Sequence, residues 1–174
     1  MTQWKKDQVF GFTFKDIDGH AVSLSDPRFK GKVVLVQIMG SWCPNCMDET
    51  RFLSGFYDQY KSKGVEVVAL AYERSTDFVR SQNSLRTFQQ RFQVKYPMLI
   101  TGVAVGDPDR AAKSLPQLER IVNFPTTIFV GKSGKIENAL TGTGLTGTPP
   151  TSAIWSLAFS PKGDRVAIGK GDGS

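Results

Sequence analysis

Val33-Val34-Leu35-Val36-Gln37-Ile38-Met39-Gly40-Ser41-Trp42-Cys43-Pro44-Asn45-Cys46 is the stretch that decides how this chain folds. Its first seven residues form an apolar run interrupted only by Gln37, with the length and β-branched content of a buried strand. Beyond Cys46, Phe52, Phe56 and Tyr60 recur every four residues, with Leu53 and Tyr57 beside them, as on the apolar face of a helix. Cys43 and Cys46 are the only cysteines in 174 residues. A cysteine pair between a strand and a helix N-terminus points to a dithiol redox site. The helix end offers partial positive charge and free N–H groups, which stabilise a thiolate. Pro44 suits the first helical turn, where its missing N–H costs nothing.

Other uses of the pair fit less well. A structural zinc site needs about four ligands, and the chain adds one histidine, His20, far from the pair in sequence. A purely structural disulfide would close so short a loop that little unfolded-state entropy is removed. A Cys-His hydrolase is disfavoured because His20 falls in the turn Asp18-Gly19-His20. The hydrophobic content of 40% and charged content of 22% are those of a globular chain of one domain. No apolar run approaches a membrane span, and Met1-Thr2-Gln3-Trp4-Lys5-Lys6 lacks the apolar centre of a signal peptide. The net charge of +6 is spread along the chain, with no basic cluster interleaved with aromatics. Nucleic acid is therefore not an expected partner.

The remaining pattern is α/β. Phe12, Phe14, the turn Asp18-Gly19, then Val22 and Leu24 predict a β-hairpin within Phe10 to Asp26. Val33–Met39 is the first central strand. Pro44 to about Lys63 is a helix ended by Gly64, and Val65–Ala71 is a second buried strand. Thr76 to Phe92 is a helix with Phe78, Leu85, Phe88 and Phe92 on one face. Pro97–Ile100 is a short strand. Asp107 to Val122 is expected to be helical but broken at Pro116. Thr126–Val130 and Lys135–Leu140 form a second hairpin. The order βαβα followed by a β-hairpin implies a mixed central sheet with helices on both faces.

This arrangement resembles the thioredoxin fold, and more closely the TlpA/ResA-like branch of bacterial thiol–disulfide oxidoreductases. The resemblance rests on Gly31-Lys32-Val33-Val34-Leu35-Val36 leading into Trp42-Cys43-Pro44-Asn45-Cys46. It rests also on Glu49 three residues after the second cysteine, on Phe124-Pro125-Thr126-Thr127 before an apolar strand, and on the leading hairpin. Tyr96-Pro97-Met98-Leu99 with Leu115-Pro116-Gln117-Leu118 resembles a subgroup from Bacteroidetes-type bacteria. Together these cover roughly residues 10–146. The resemblance implies Cys43 as nucleophile and Cys46 as resolving thiol. It implies Pro125 as a cis-proline packed against the disulfide, and Phe124 beside it as a site for pairing with an extended substrate. Trp42, Pro44, Asn45, Glu49 and Thr126 would shape the site. The Cys43–Cys46 disulfide would itself be the redox group, with no cofactor and no metal. Partners would be protein thiols and disulfides with an upstream thiol reductant, the chain acting as a monomer. An extracytoplasmic (periplasmic) location with the signal removed is implied, the cytoplasm being the alternative.

The chain departs from this pattern twice. The buried aspartate of typical thioredoxins, six residues before the first cysteine, is Gln37 here. Gln37 cannot take up a proton, so Glu49 becomes the candidate for that task; burial would raise its pKa. The second departure is the tail. Residues 1–147 are expected to form the redox domain and 148–174 a divergent C-terminal tail. A short helix near Thr151–Phe159 is preferred over a hairpin there, with a mobile stretch after Gly169. Trp155 to Gly173 also resembles the opening of a WD40 propeller blade, and one partial blade cannot bury its own face.

Three functions compete. The first is a thiol–disulfide oxidoreductase, in which Cys43 attacks and Cys46 resolves. The second is a thiol peroxidase of the peroxiredoxin kind. Such enzymes carry Pro and Thr or Ser at fixed positions upstream of the cysteine, and here the residues seven and three before Cys43 are Val36 and Gly40. The third is a chaperone or copper(I)-delivery module, since two thiolates can bind copper(I).

Overall fold

The computed structural model describes residues 3–142, 156–159 and 166–169. Its centre is a pair of parallel strands, β3 (Val33–Met39) and β4 (Val65–Ala71), buried at all seven positions of each. They run in register from Val33 beside Val65 to Met39 beside Ala71. On the far side of β3 lies antiparallel β6 (Thr126–Val130), followed by β7 (Ile136–Thr141). On the far side of β4 lies parallel β5 (Met98–Ile100). The leading hairpin, β1 (Thr13–Asp16) and β2 (Ala21–Ser23), pairs Phe14 with Val22 and attaches to β5 through β1. The sheet order is β2-β1-β5-β4-β3-β6-β7. This is the expected mixed sheet with its N-terminal hairpin.

Alternation along the central strands divides the core in two. Val33, Leu35 and Met39 face α1 (Pro44–Tyr60) and α2 (Phe78–Phe92), meeting Leu53, Phe56, Leu85 and Phe88. Val34, Val36 and Ile38 face the opposite layer, built from α3 (Arg110–Ser114), Leu115, Leu118 and the N-terminal Phe10 and Phe12. The helix ends follow from local chemistry. A 3₁₀ turn over Lys61–Lys63 extends α1 to Gly64, which adopts φ +84°, the left-handed region that favours glycine. Asp77 caps α2, accepting the Arg80 N–H at 2.7 Å, so the helix proper starts two residues later than Thr76.

Two expectations fail. Between Asp107 and Val122 only Arg110–Ser114 is helical. Pro116 cannot continue a helix and disfavours helical backbone at Leu115. The apolar spacing of Leu115, Leu118 and Ile121 instead marks three side chains buried from an irregular segment. In the tail, Ser156–Phe159 is a strand, β8, paired antiparallel with β9 (Val166–Gly169) rather than part of a helix. Backbone pairing between two short segments satisfies their N–H and C=O groups, where one isolated helical turn would leave most unsatisfied. The boundary at 147, the stretch 151–155 and the residues after Gly169 lie outside the described residues.

Leu53 is fully buried between α1 and the sheet. Leu53→Ala should cost about 2–5 kcal/mol of stability, read as a lower denaturation midpoint at unchanged m-value.

Candidate redox site

The site forms where β3 ends. The chain leaves the sheet at Met39, passes through Gly40-Ser41-Trp42 and enters α1 at Pro44, with Cys43 as N-cap in extended conformation. Cys43 and Cys46 are joined as a disulfide with their Cα atoms 5.2 Å apart. The Cys46 N–H donates to Cys43 Sγ at 3.2 Å. Cys46 is completely buried, Cys43 is 4% exposed, and Pro44 and Asn45 lie exposed beside them. The outer sulfur therefore belongs to Cys43, and a first-turn amide already points at it. The same amide would stabilise a thiolate there.

Trp42 folds back over Gly40. A Cβ added at Gly40 would lie 2.2 Å from Trp42 Nε1, so glycine is required by this approach. The indole N–H donates to the Tyr72 carbonyl at 2.9 Å. The ring meets Phe124 edge-on at 5.5 Å, and Phe124 meets Tyr72 at 5.8 Å. The Phe124–Pro125 bond is cis, as expected. The β3–β6 register pairs Ile38 with Thr126 and so carries buried Pro125 to the Met39 end of β3, where the redox loop begins. Thr126 is buried and donates to the Asn123 carbonyl at 2.8 Å. It thus shapes the turn before β6.

Below the disulfide lies a buried polar cluster. Glu49 follows Cys46 by three residues on α1, the spacing that puts two side chains on one helix face, and it is 1% exposed. Thr127 Oγ1 donates to its Oε1 at 2.7 Å, and Gln37 Nε2 donates to its Oε2 at 2.9 Å. Gln37 Nε2 also reaches Thr50 Oγ1 at 3.2 Å, and Tyr96 Oη approaches Gln37 Oε1 at 3.5 Å. Burial in this cluster raises the Glu49 pKa to about 7, and the bonds from Thr127 and Gln37 offset only part of the effect. The Tyr96 hydroxyl is pushed up by its own burial and then by the Glu49 charge. Glu49 is therefore a buried acid that changes charge near neutrality.

The structure sets Trp42 against Phe124 beside the loop that carries Cys43, Glu49 one turn after Cys46 on the same helix, and Pro125 and Thr126 at the start of β6 beside the Met39 end of β3. Pro44 and Asn45 line the entrance. Sequence reasoning missed Thr127, Thr50 and Tyr96, and it treated Gln37 as a loss when the side chain holds Glu49. Thr127 carried a usable signal, since it lies next to Thr126 on the strand after Pro125. Tyr96 carried none. His20 stands apart with Asp16 and Asp18 in the β1–β2 turn. Their ligand atoms come within 4.8 Å of one another, but Asp16 Oδ1 already accepts the Asp18 and His20 N–H groups at 2.9 Å each.

The chain resembles known redox proteins along most of its length. Thiol-disulfide oxidoreductase ResA of Geobacillus kaustophilus is 30% identical over 132 residues, covering 76% of this chain and 66% of that protein. ResA of Bacillus subtilis is 29% identical, covering 76% and 64%. The chain thus spans just under two thirds of the length of these relatives. The thioredoxin domain of a thiol-disulfide oxidoreductase from Bacteroides vulgatus superposes with a TM-score of 0.61 at 25% identity, over 83% of this chain and 91% of that one. A thiol-disulfide oxidoreductase from Bacteroides fragilis gives 0.62 at 19% identity, over 76% and 89%, a likeness of fold. The Redoxin family model matches residues 5–151, and with its disulfide at the start of α1 and its thioredoxin-like sheet the chain belongs to that family.

Proposed function

We propose that this chain is a thiol–disulfide oxidoreductase that acts on protein disulfides through Cys43 and Cys46. The observation that carries the reading is the disulfide at the N-terminus of α1, its outer sulfur accepting the Cys46 N–H. In the reduced form the Cys43 thiolate attacks one sulfur of a substrate disulfide. That S–S bond breaks, a mixed disulfide forms, and the first substrate thiolate leaves. Cys46 then loses its proton and attacks Cys43 Sγ, which expels the second substrate thiolate and closes the Cys43–Cys46 bond. Two electrons pass to the substrate. Glu49 takes the Cys46 proton, since its pKa near 7 matches that task at neutral pH. Trp42 and Phe124 present an aromatic surface beside the sulfurs. The redox group is the disulfide itself, and a separate thiol reductant restores the dithiol. By the same resemblance we assign the chain to an extracytoplasmic compartment, acting there as a monomer.

Reduction of insulin by dithiothreitol, followed by turbidity, tests this reading beside peroxide consumption and a copper(I) titration. The expected outcome is an acceleration of insulin precipitation of at least about tenfold, with peroxide consumed no faster than by a free thiol. Rapid peroxide turnover without insulin reduction would establish a peroxidase. Tight copper(I) binding without either activity would establish a metal carrier.

A further inference from the structure

Glu73 is a buried carboxylate that the dithiol mechanism above does not use. It follows β4, is 7% exposed, and spends both oxygens on one residue. Its Oε1 accepts the Ser41 N–H at 2.8 Å and its Oε2 accepts the Ser41 hydroxyl at 2.6 Å. Such short contacts to a charged acceptor are the strong kind of hydrogen bond. Ser41 lies two residues before Cys43. The neighbouring Tyr72 adds two backbone links to the same loop, its N–H to the Met39 carbonyl at 2.9 Å and its carbonyl to the Trp42 indole N–H. A cleft of about 230 Å³ opens there, lined by Ser41, Trp42, Glu73, Arg74, Ser75 and Arg80. The Arg74 guanidinium lies over the Trp42 ring at 5.7 Å.

We infer that Glu73 is a positioning residue for Cys43, its carboxylate clamping Ser41 and so fixing the path of the chain into Trp42 and the N-terminus of α1. The inference rests on the oxidoreductase reading for its consequence. Its geometry stands without that reading. Glu73 acts through Ser41. The depth of Cys43 at the helix end is set by where the clamp holds the two preceding residues.

The test uses four variants of the full chain: Glu73→Gln, Glu73→Ala, Ser41→Ala, and Ser41→Ala with Glu73→Ala. Each is reduced and assayed where circular dichroism shows it folded. One readout is the rate of Cys43 alkylation by iodoacetamide across pH, assigned by mass spectrometry. The other is the rate of reaction with a disulfide-linked peptide. Glutamine keeps an acceptor for the Ser41 N–H and a donor for its hydroxyl, so Glu73→Gln should react with the peptide within about twofold of the parent. Glu73→Ala should be slower by about tenfold and Ser41→Ala by about threefold, the double variant matching Glu73→Ala because Ser41 Oγ acts only through Glu73. A merely structural Glu73 would lower the melting temperature and leave the rate per folded molecule and the alkylation profile unchanged. That result, or additive losses in the double variant, would overturn the clamp. If Glu73→Ala does not fold, Ser41→Ala and Glu73→Gln decide: parent-like behaviour of Ser41→Ala would overturn the inference. A parent chain inert toward the peptide would overturn the oxidoreductase reading alone, and the alkylation profiles would still decide the clamp.

Discussion

Cys46→Ser is expected to stop the reaction at the mixed disulfide. With Cys46 gone, Cys43 still attacks a substrate disulfide, but no thiol lies beside it to release the product. A stable adduct should accumulate through Cys43, visible on non-reducing gels and by mass, and turnover should fall by at least about a thousandfold. Cys43→Ser should give the same loss of turnover without the adduct, because fully buried Cys46 is shielded from a polypeptide. The asymmetry follows from the site. Only Cys43 is the N-cap of α1, and only its sulfur receives a first-turn N–H. Equal trapping through both cysteines would sink the assignment of roles.

The second large effect concerns Glu49 and pH. Its pKa is about 7 in the folded protein against the ordinary 4.5 of a glutamate. Between these values the folded state holds a proton that the unfolded state has lost, so stability falls as pH rises. The sign is that of a carboxyl whose pKa is raised: no loss below about pH 4.5, a progressive loss up to about pH 7, and a plateau above. A difference of this size corresponds to about 3 kcal/mol. Glu49→Gln cannot ionise, so the variant minus parent difference in unfolding free energy should grow by that order between pH 5 and pH 8. Urea titrations at several pH values read it. In the same variant the Cys43 alkylation midpoint should move to lower pH, because a negative charge near the thiol has been removed. A pH-independent stability difference and an unmoved midpoint would show that the carboxyl plays no part in the thiol chemistry.

The central strands, both long helices and the cysteine pair were legible because their signals are local. A run of β-branched residues, a four-residue aromatic spacing and a Cys-x-x-Cys pair each lie within a few turns of chain. The polar cluster was not legible. A strand buried on both faces is apolar almost throughout, so the sequence does not show which residues face which layer. Gln37 therefore looked like a missing acid, although β3 alternation aims it with Leu35 and Met39 toward α1 and Glu49. Glu73 was invisible for a related reason. A glutamate just after a buried strand looks like a solvated loop charge, and nothing near it names Ser41, 32 positions earlier, as its partner. The failed helix over Asp107–Val122 shows the opposite error. Leu115, Leu118 and Ile121 kept a helical spacing that served burial alone, while Pro116 had already ruled out the backbone.

The contact between Gly40 and Trp42 bears on what this scaffold can carry. The peroxidase alternative weighed from the sequence calls for a hydroxyl-bearing residue three places before its cysteine, the position of Gly40. Here that place is occupied by the indole, whose Nε1 would stand 2.2 Å from any new Cβ. A serine or threonine at Gly40 would meet the Trp42 ring and force it to shift. The ring must first give up its bond to the Tyr72 carbonyl and leave the Phe124 edge, dismantling the aromatic surface beside the sulfurs. On this backbone an indole lying over Gly40 and a side chain at Gly40 therefore exclude one another, and the space above the glycine is committed to the ring.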